Sequence, residues 1–197
     1  MLLARNQYML EQYGAVLRDE GLLYEGKQGL SIGQEKVAAI TTWEALRKGR
    51  ELPVQHIIKV YEHMTAGVGY KRGSKGKLDA AGGMLSLTGL QADYGLQTQN
   101  PWYEALTKIG EADREYLRAA LARGESLTKP RIRVSTIHGA KGGEADNVAV
   151  MTDMAYRCYQ EQEIAPDNER RVFYVAATRA KQNLFWLAPQ TMRAFEG

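Results

Sequence analysis

The stretch Val134-Ser135-Thr136-Ile137-His138-Gly139-Ala140-Lys141-Gly142-Gly143-Glu144 decides the reading of this chain. A β-branched run leads into a loop punctuated by glycine and carrying His138, Lys141 and Glu144. β-branched residues suit a pleated, half-buried strand. Glycines permit tight turns and let backbone approach a phosphate or a sugar closely. A loop leaving the carboxyl end of a parallel strand faces the ligand crevice of an open α/β sheet, and the whole loop is expected there. Lys141 adds positive charge, and Glu144 can accept a hydrogen bond from a ribose hydroxyl. On its own a glycine loop is more simply a tight turn between strands, so a second block has to decide.

That block is Glu169-Arg170-Arg171-Val172-Phe173-Tyr174-Val175-Ala176-Ala177-Thr178-Arg179-Ala180. Val172, Phe173, Val175, Ala176 and Ala177 leave little polar face, so residues 167–177 read as a buried helix capped by Asp167. Arg179 stands just past its end, where a guanidinium needs an anionic partner or water. Phosphoryl transfer needs positive charge aimed at the terminal phosphate, and an always-protonated arginine suits that task.

Together the two blocks resemble motifs V and VI of the superfamily 1 DNA helicases, the UvrD/Rep/PcrA-like family. The resemblance implies that Arg179 is an arginine finger reaching across a cleft to ATP. It places Glu144, Gly142 and Lys141 at the nucleotide, and Thr136 and His138 on the side of single-stranded DNA. Arg170 and Arg171 are expected to make structural pairs with Glu169 or Asp167. Family members usually carry Leu where Gly143 stands and often an aromatic where Ala145 stands. Leu2-Leu3-Ala4-Arg5-Asn6, with the helix after it and a strand at residues 22–25, resembles motif IVa, which makes Arg5 and Asn6 DNA contacts. The motif further upstream, with an adenine-stacking tyrosine and a second ATP-binding arginine, is absent.

Working outward, residues 1–4 read as a strand. Residues 7–20 read as a helix with Met9, Leu10, Tyr13, Val16 and Leu17 on one face, stopped by Gly21. Ser31 is expected to cap a helix over 32–48, closed by Gly49. Between Gly67 and Gly95 glycine is dense and basic residues intervene, which predicts an irregular surface loop that buries little. Lys71, Arg72, Lys75 and Lys77 with Tyr70 could track a phosphate backbone there, as any solubilising loop could resemble. Asn100-Pro101 opens a helix expected to run through Ile109, and residues 111–123 form another, stopped by Gly124. Strands follow at 131–137, at 147–152, where the apolar run predicts a central position, and at 183–187.

The order predicts an α/β, RecA-like parallel sheet domain of the P-loop NTPase type, lacking the phosphate loop. Residues 1–49 form its first part, 50–129 an inserted, mainly helical subdomain, and 130–197 its second part. Gly76-Lys77 is no phosphate loop, because Leu78 lacks the metal-binding hydroxyl. Asp19-Glu20 ends a helix and is read as solvated. His56 and His63 have no partners at metal spacing, and no metal site is expected. The lone Cys158 excludes an internal disulfide and fits a reducing cytosol. A net charge of +3 suits a polyanionic partner without requiring one. No apolar run reaches membrane-spanning length and no signal-peptide pattern is present, so a cytoplasmic, bacterial or phage-encoded protein is expected.

The implied function is the C-terminal motor half of an ATP-dependent 3′–5′ DNA helicase acting in repair or replication, with single-stranded and duplex DNA as partners. A missing N-terminal RecA-like ATPase domain of the same protein would supply the phosphate loop and most of the Mg²⁺ ligands, so the chain alone is expected to be inactive. Two rivals share these residues: a non-catalytic nucleic-acid-binding or interaction module, and the helicase part of a recombination helicase–nuclease.

Overall fold

A computed structural model describes residues 1–195. In chain order the elements are β1 (Leu2–Ala4), a 3-10 turn (Gln7–Met9), α1 (Leu10–Asp19), β2 (Tyr24–Gly26), β3 (Gly29–Leu30), α2 (Gln34–Arg47), β4 (Leu52–Pro53) and α3 (Val54–Glu62). Then come α4 (Ser74–Asp79), β5 (Met84–Leu85), α5 (Leu87–Asp93), α6 (Trp102–Ala105) and α7 (Glu111–Ala122). The last group is β6 (Ile132–Thr136), β7 (Ala145–Met151), α8 (Tyr156–Ile164), α9 (Pro166–Ala177) and β8 (Ala180–Leu187).

The chain divides into two compact units. One joins residues 1–31 to the residues from Lys129 onward; the other is 32–128. Sequence reasoning drew the first boundary at residue 50. The structure moves α2 into the second unit, because α2 packs along α3.

The first unit is built on a sheet of six strands among the described residues, in the order β3-β2-β6-β1-β7-β8. β1 pairs in parallel with both β6 and β7, and β7 with β8; only the β2–β3 hairpin is antiparallel. This is the α/β arrangement expected of a RecA-like fold. Alternation along the strands sorts two cores. Ala4 and Val134 join Leu10, Tyr13 and Leu17 of α1 on one face. Leu3, Val148 and Val150 join Cys158 of α8 and Phe173 and Ala176 of α9 on the other. Phe173 also stacks on Phe195 with ring centroids 4.0 Å apart. Burying each such large side chain stabilises the fold by about 1.5–3 kcal/mol.

Helix ends follow local chemistry, with corrections. Gly21 at φ 63° ends α1 as expected, with Leu22 N–H donating to Leu17 C=O at 2.8 Å. Val16, expected on the core face of α1, is 61% exposed. Ser31 does not cap α2. Its hydroxyl accepts from Tyr24 N–H at 3.4 Å across the β2–β3 hairpin, and Gly33 begins the helix. Asp167 does not cap α9 either: Pro166 takes the first turn after Ala165. Nor is α9 buried all round, since Tyr174 is 70% exposed.

In the second unit α2 and α3 bury Ile40, Trp43, Leu46, Ile57, Val60 and Tyr61. The glycine-dense stretch is not the irregular loop that composition suggested. It contains α4, β5 and α5, and Tyr70, Leu78 and Leu90 are buried. Its few apolar residues fall at the positions that face inward, which a density count cannot see. The helix expected to run through Ile109 stops at Ala105, and Asn100 gives its carbonyl to the Trp43 indole at 2.9 Å. Among the described residues no helix is long and apolar enough to cross a membrane.

Candidate functional site

β6 and β7 run in the same direction, so the segment joining them must return along the length of the sheet. Here no helix makes the crossing; residues 137–144 lie back over β6 as successive turns. Ala140 N–H donates to Thr136 C=O at 3.0 Å and Gly143 N–H to Ala140 C=O at 2.9 Å, while Ile137 and Ala140 are buried and pin the segment. Gly139 passes over Ser135 and Gly143 over Arg133, the two β6 side chains on that face. A Cβ on Gly139 would stand 2.7 Å from Ser135 Oγ, and one on Gly143 would stand 3.1 Å from Arg133 Nη1. Gly142 needs its glycine for a different reason, a φ of 82°.

This path separates residues that the sequence reading placed in one crevice. Val134 and Ala149 both register with Leu2. Thr136 and Ala145 therefore lie about 20 Å apart along the sheet, six residues at the strand rise. Thr136 and His138 belong to the carboxyl end of the strands. Glu144 and Arg179 belong to the amino end.

At the amino end Arg179 is half-buried beyond the last turn of α9. Its Nε donates to Val175 C=O at 3.0 Å, Nη1 to Gly143 C=O at 3.3 Å and Nη2 to Thr178 Oγ1 at 3.0 Å. All three acceptors are neutral, and no carboxylate pairs with Arg179 among the described residues. The negative end of the α9 dipole partly supports the charge. Glu144 Oε2 stands 3.5 Å from Lys181 Nζ, with both side chains about half exposed. An exposed pair of that length is worth little, so Glu144 is free to exchange partners. Lys141 is exposed beside Gly142. The Met1 ammonium donates to Asn147 C=O at 2.8 Å. Burial, and then the charge of Arg133, lower its pKa.

At the carboxyl end His138 is exposed, and the Thr136 hydroxyl accepts from Gly139 N–H at 3.0 Å, shaping the turn. Thr136, Ser135, Gly139, Gln7, Lys27, Glu25 and Arg133 line an open cleft of about 370 Å³, so Arg133 reaches this cleft as well as the Gly143 turn. Arg5 and Asn6, expected to contact DNA, are both committed to the fold. Arg5 reaches Glu169 with two hydrogen bonds, at 2.7 and 2.8 Å. The Glu169 side chain is 3% exposed, and its hydrogen bond holds the Arg5 proton more firmly than usual. Asn6 Oδ1 accepts from Ala155 N–H at 2.9 Å and its amide donates to Cys158 Sγ at 3.6 Å. Glu169 thus pairs with Arg5, not with its neighbours; Arg170 pairs with Asp167 at 3.4 Å.

Cys158, Glu161 and Glu169 bring ligand atoms within 4.8 Å of one another. The Arg5 guanidinium already occupies both Glu169 oxygens and would repel a divalent ion brought to the trio. In the second unit Tyr70 packs against Tyr61 with ring centroids 4.7 Å apart and planes tilted by 32°, and it is 6% exposed, so it offers no face to a nucleic-acid base. Lys75 pairs with Glu62 at 3.2 Å, while Lys71, Arg72 and Lys77 are exposed.

With this geometry in place, residues 93–190 match the family model of the UvrD-like helicase C-terminal domain. The chain carries a UvrD-like helicase C-terminal domain. No curated protein matches it. The matched span contains the crossing loop, α9 and Arg179, and so includes both ends of the sheet just described. Sequence reasoning missed two features of this UvrD-like domain, the Arg5–Glu169 pair and the approach of Arg133 to Gly143. Only the second left a trace: Arg133 and Ser135 are polar residues alternating with Ile132 and Val134, marking a strand face that something polar crosses.

Proposed function

We propose that this UvrD-like domain is the C-terminal motor half of an ATP-dependent DNA helicase, moving 3′–5′ on single-stranded DNA with nucleotide at the amino end of its sheet and DNA at the carboxyl end. One observation carries the reading. A half-buried guanidinium, Arg179, is fixed by three neutral oxygens and left without a carboxylate, which keeps its charge available to an incoming anion.

ATP fits the amino end by donor chemistry: Arg179 for the phosphates, Glu144 for a ribose hydroxyl, and Lys141 with the Gly142 backbone beside them. When bound, the nucleotide supplies the phosphoanhydride whose terminal phosphoryl group passes to water. Arg179 stabilises the charge that builds on that group, and its anchorage to Val175 and Gly143 lowers the reorganisation needed as charge develops. Magnesium and the attacking water fall to a second RecA-like domain, which would supply the phosphate loop and the metal ligands. At the other end Thr136 and His138 face the strand, with Lys27 beside the cleft. The same crossing segment, residues 137–144, touches both ends, so a shift of its Gly142–Gly143 turn on nucleotide turnover is felt at His138. That linkage is the proposed basis for coupling hydrolysis to movement.

The test is turnover in a protein that joins this chain to a RecA-like domain with a phosphate loop. Arg179→Ala is expected to lower ATP turnover by on the order of a hundredfold or more, with nucleotide affinity changing far less. A destabilised but fully active Arg179→Ala would end the assignment in favour of a non-catalytic module.

A further inference from the structure

Arg133 is the one cation on β6 that points to the face crossed by residues 137–144, and it makes no hydrogen bond or ion pair among the described residues. Its Nη1 lies 3.1 Å from the position a Gly143 Cβ would take, so the missing side chain is what admits it. Gly143 C=O meanwhile accepts from Arg179 Nη1 at 3.3 Å. Two guanidinium groups therefore approach one glycine, and neither is ion-paired among the described residues, although Glu25 stands opposite Arg133 in register on β2. The nearest acid in the loop, Glu144, turns toward Lys181. Bringing like charges together in a folded chain costs free energy unless an anion sits between or beside them. A guanidinium with its donors free offers the planar fork that matches phosphate oxygens.

We propose that Arg133 is a second phosphate-contacting cation, approaching the same glycine as Arg179, and that the two together bind the polyphosphate of a nucleotide. The inference rests on the nucleotide reading of the amino end and adds a residue to it. Arg133 grips the anion in the ground state, whereas Arg179 is placed to follow charge as it moves. Their effects should differ accordingly: Arg133 governs affinity and Arg179 governs turnover.

The experiment is calorimetric titration of the full chain with inorganic tripolyphosphate at low salt, with melting temperatures measured on the same preparations. Arg133→Gln is expected to weaken binding about tenfold, the worth of one charge-assisted contact, with an unchanged melting temperature because the side chain has no partner to lose. Arg133→Lys should recover only part of the loss. Arg170→Gln, which removes the same charge from an exposed site on α9, should change affinity little. Equal weakening by Arg170→Gln and Arg133→Gln would reduce the effect to net charge and overturn the proposal. So would wild-type chain that binds no tripolyphosphate. Loss with Arg179→Ala but not with Arg133→Gln also overturns it, while leaving the nucleotide reading intact. Loss with Arg133→Gln and little change with Arg179→Ala is the expected pattern, since Arg179 acts on turnover and not on affinity.

Discussion

Arg179 and Arg5 show how identical side chains acquire opposite roles from their surroundings. Arg5 meets a buried carboxylate in two hydrogen bonds and is spent on the fold. Arg179 meets only neutral oxygens, which leave its charge without a carboxylate partner. Neither difference is written locally, because the partner of Arg5 is Glu169, far along the chain. Under the proposed finger role charge alone does not suffice, and Arg179→Lys is expected to restore little of the turnover lost in Arg179→Ala, since a point charge lacks the planar fork. Steady-state ATPase assays on both variants check this; full rescue by lysine would reassign the position to simple electrostatics. For Glu169 the expectation concerns stability. Glu169→Ala strands a guanidinium in a largely buried site and should cost about 3–5 kcal/mol, whereas Arg5→Met with Glu169→Leu should cost much less. Urea denaturation of the single and double variants separates a required ion pair from a replaceable one.

The crossing segment behaves as an element although it is neither helix nor strand. Its glycines answer two separate demands, a positive φ at Gly142 and close passage over β6 at Gly139 and Gly143. Gly142→Ala should destabilise the domain by roughly 1–2 kcal/mol through backbone strain alone. Gly139→Ala should destabilise it by a steric route, because the new methyl group would meet Ser135 Oγ. Adding Ser135→Ala should return part of the lost melting temperature to Gly139→Ala and none to Gly142→Ala. Equal recovery in both backgrounds would show that the segment does not lie over β6 in this register. The glycines themselves were legible as a loop. Their division of labour was not, since it depends on which β6 side chains lie beneath.

At the scale of the molecule, the proposed nucleotide and DNA sites lie at two ends of one sheet, and the net charge of +3 is modest. Single-stranded DNA is therefore expected to bind weakly, with an affinity that falls as salt rises, because contact is chiefly with phosphates. A fluorescence anisotropy titration at two salt concentrations measures it; salt-independent binding would move the DNA contact away from Thr136, His138 and Lys27. The α/β pattern, the motif blocks and the long helices α1, α7 and α9 were readable because each is set by nearest neighbours: hydrophobic period, glycine stops and contiguous motif residues. The inserted unit was readable as a change of composition, but its order was not, since Leu78 and Leu90 are buried only after distant helices supply their cavity. The sequence by itself determined which residues compose the two motif blocks, because glycine, glutamate and arginine at fixed spacing are local chemical facts. Only the tertiary structure decided that Thr136–His138 and Glu144–Arg179 stand at opposite ends, that Arg5 belongs to Glu169, and that Arg133 and Arg179 both approach Gly143. Those outcomes depend on strand direction, register and long-range pairing, which no local pattern encodes.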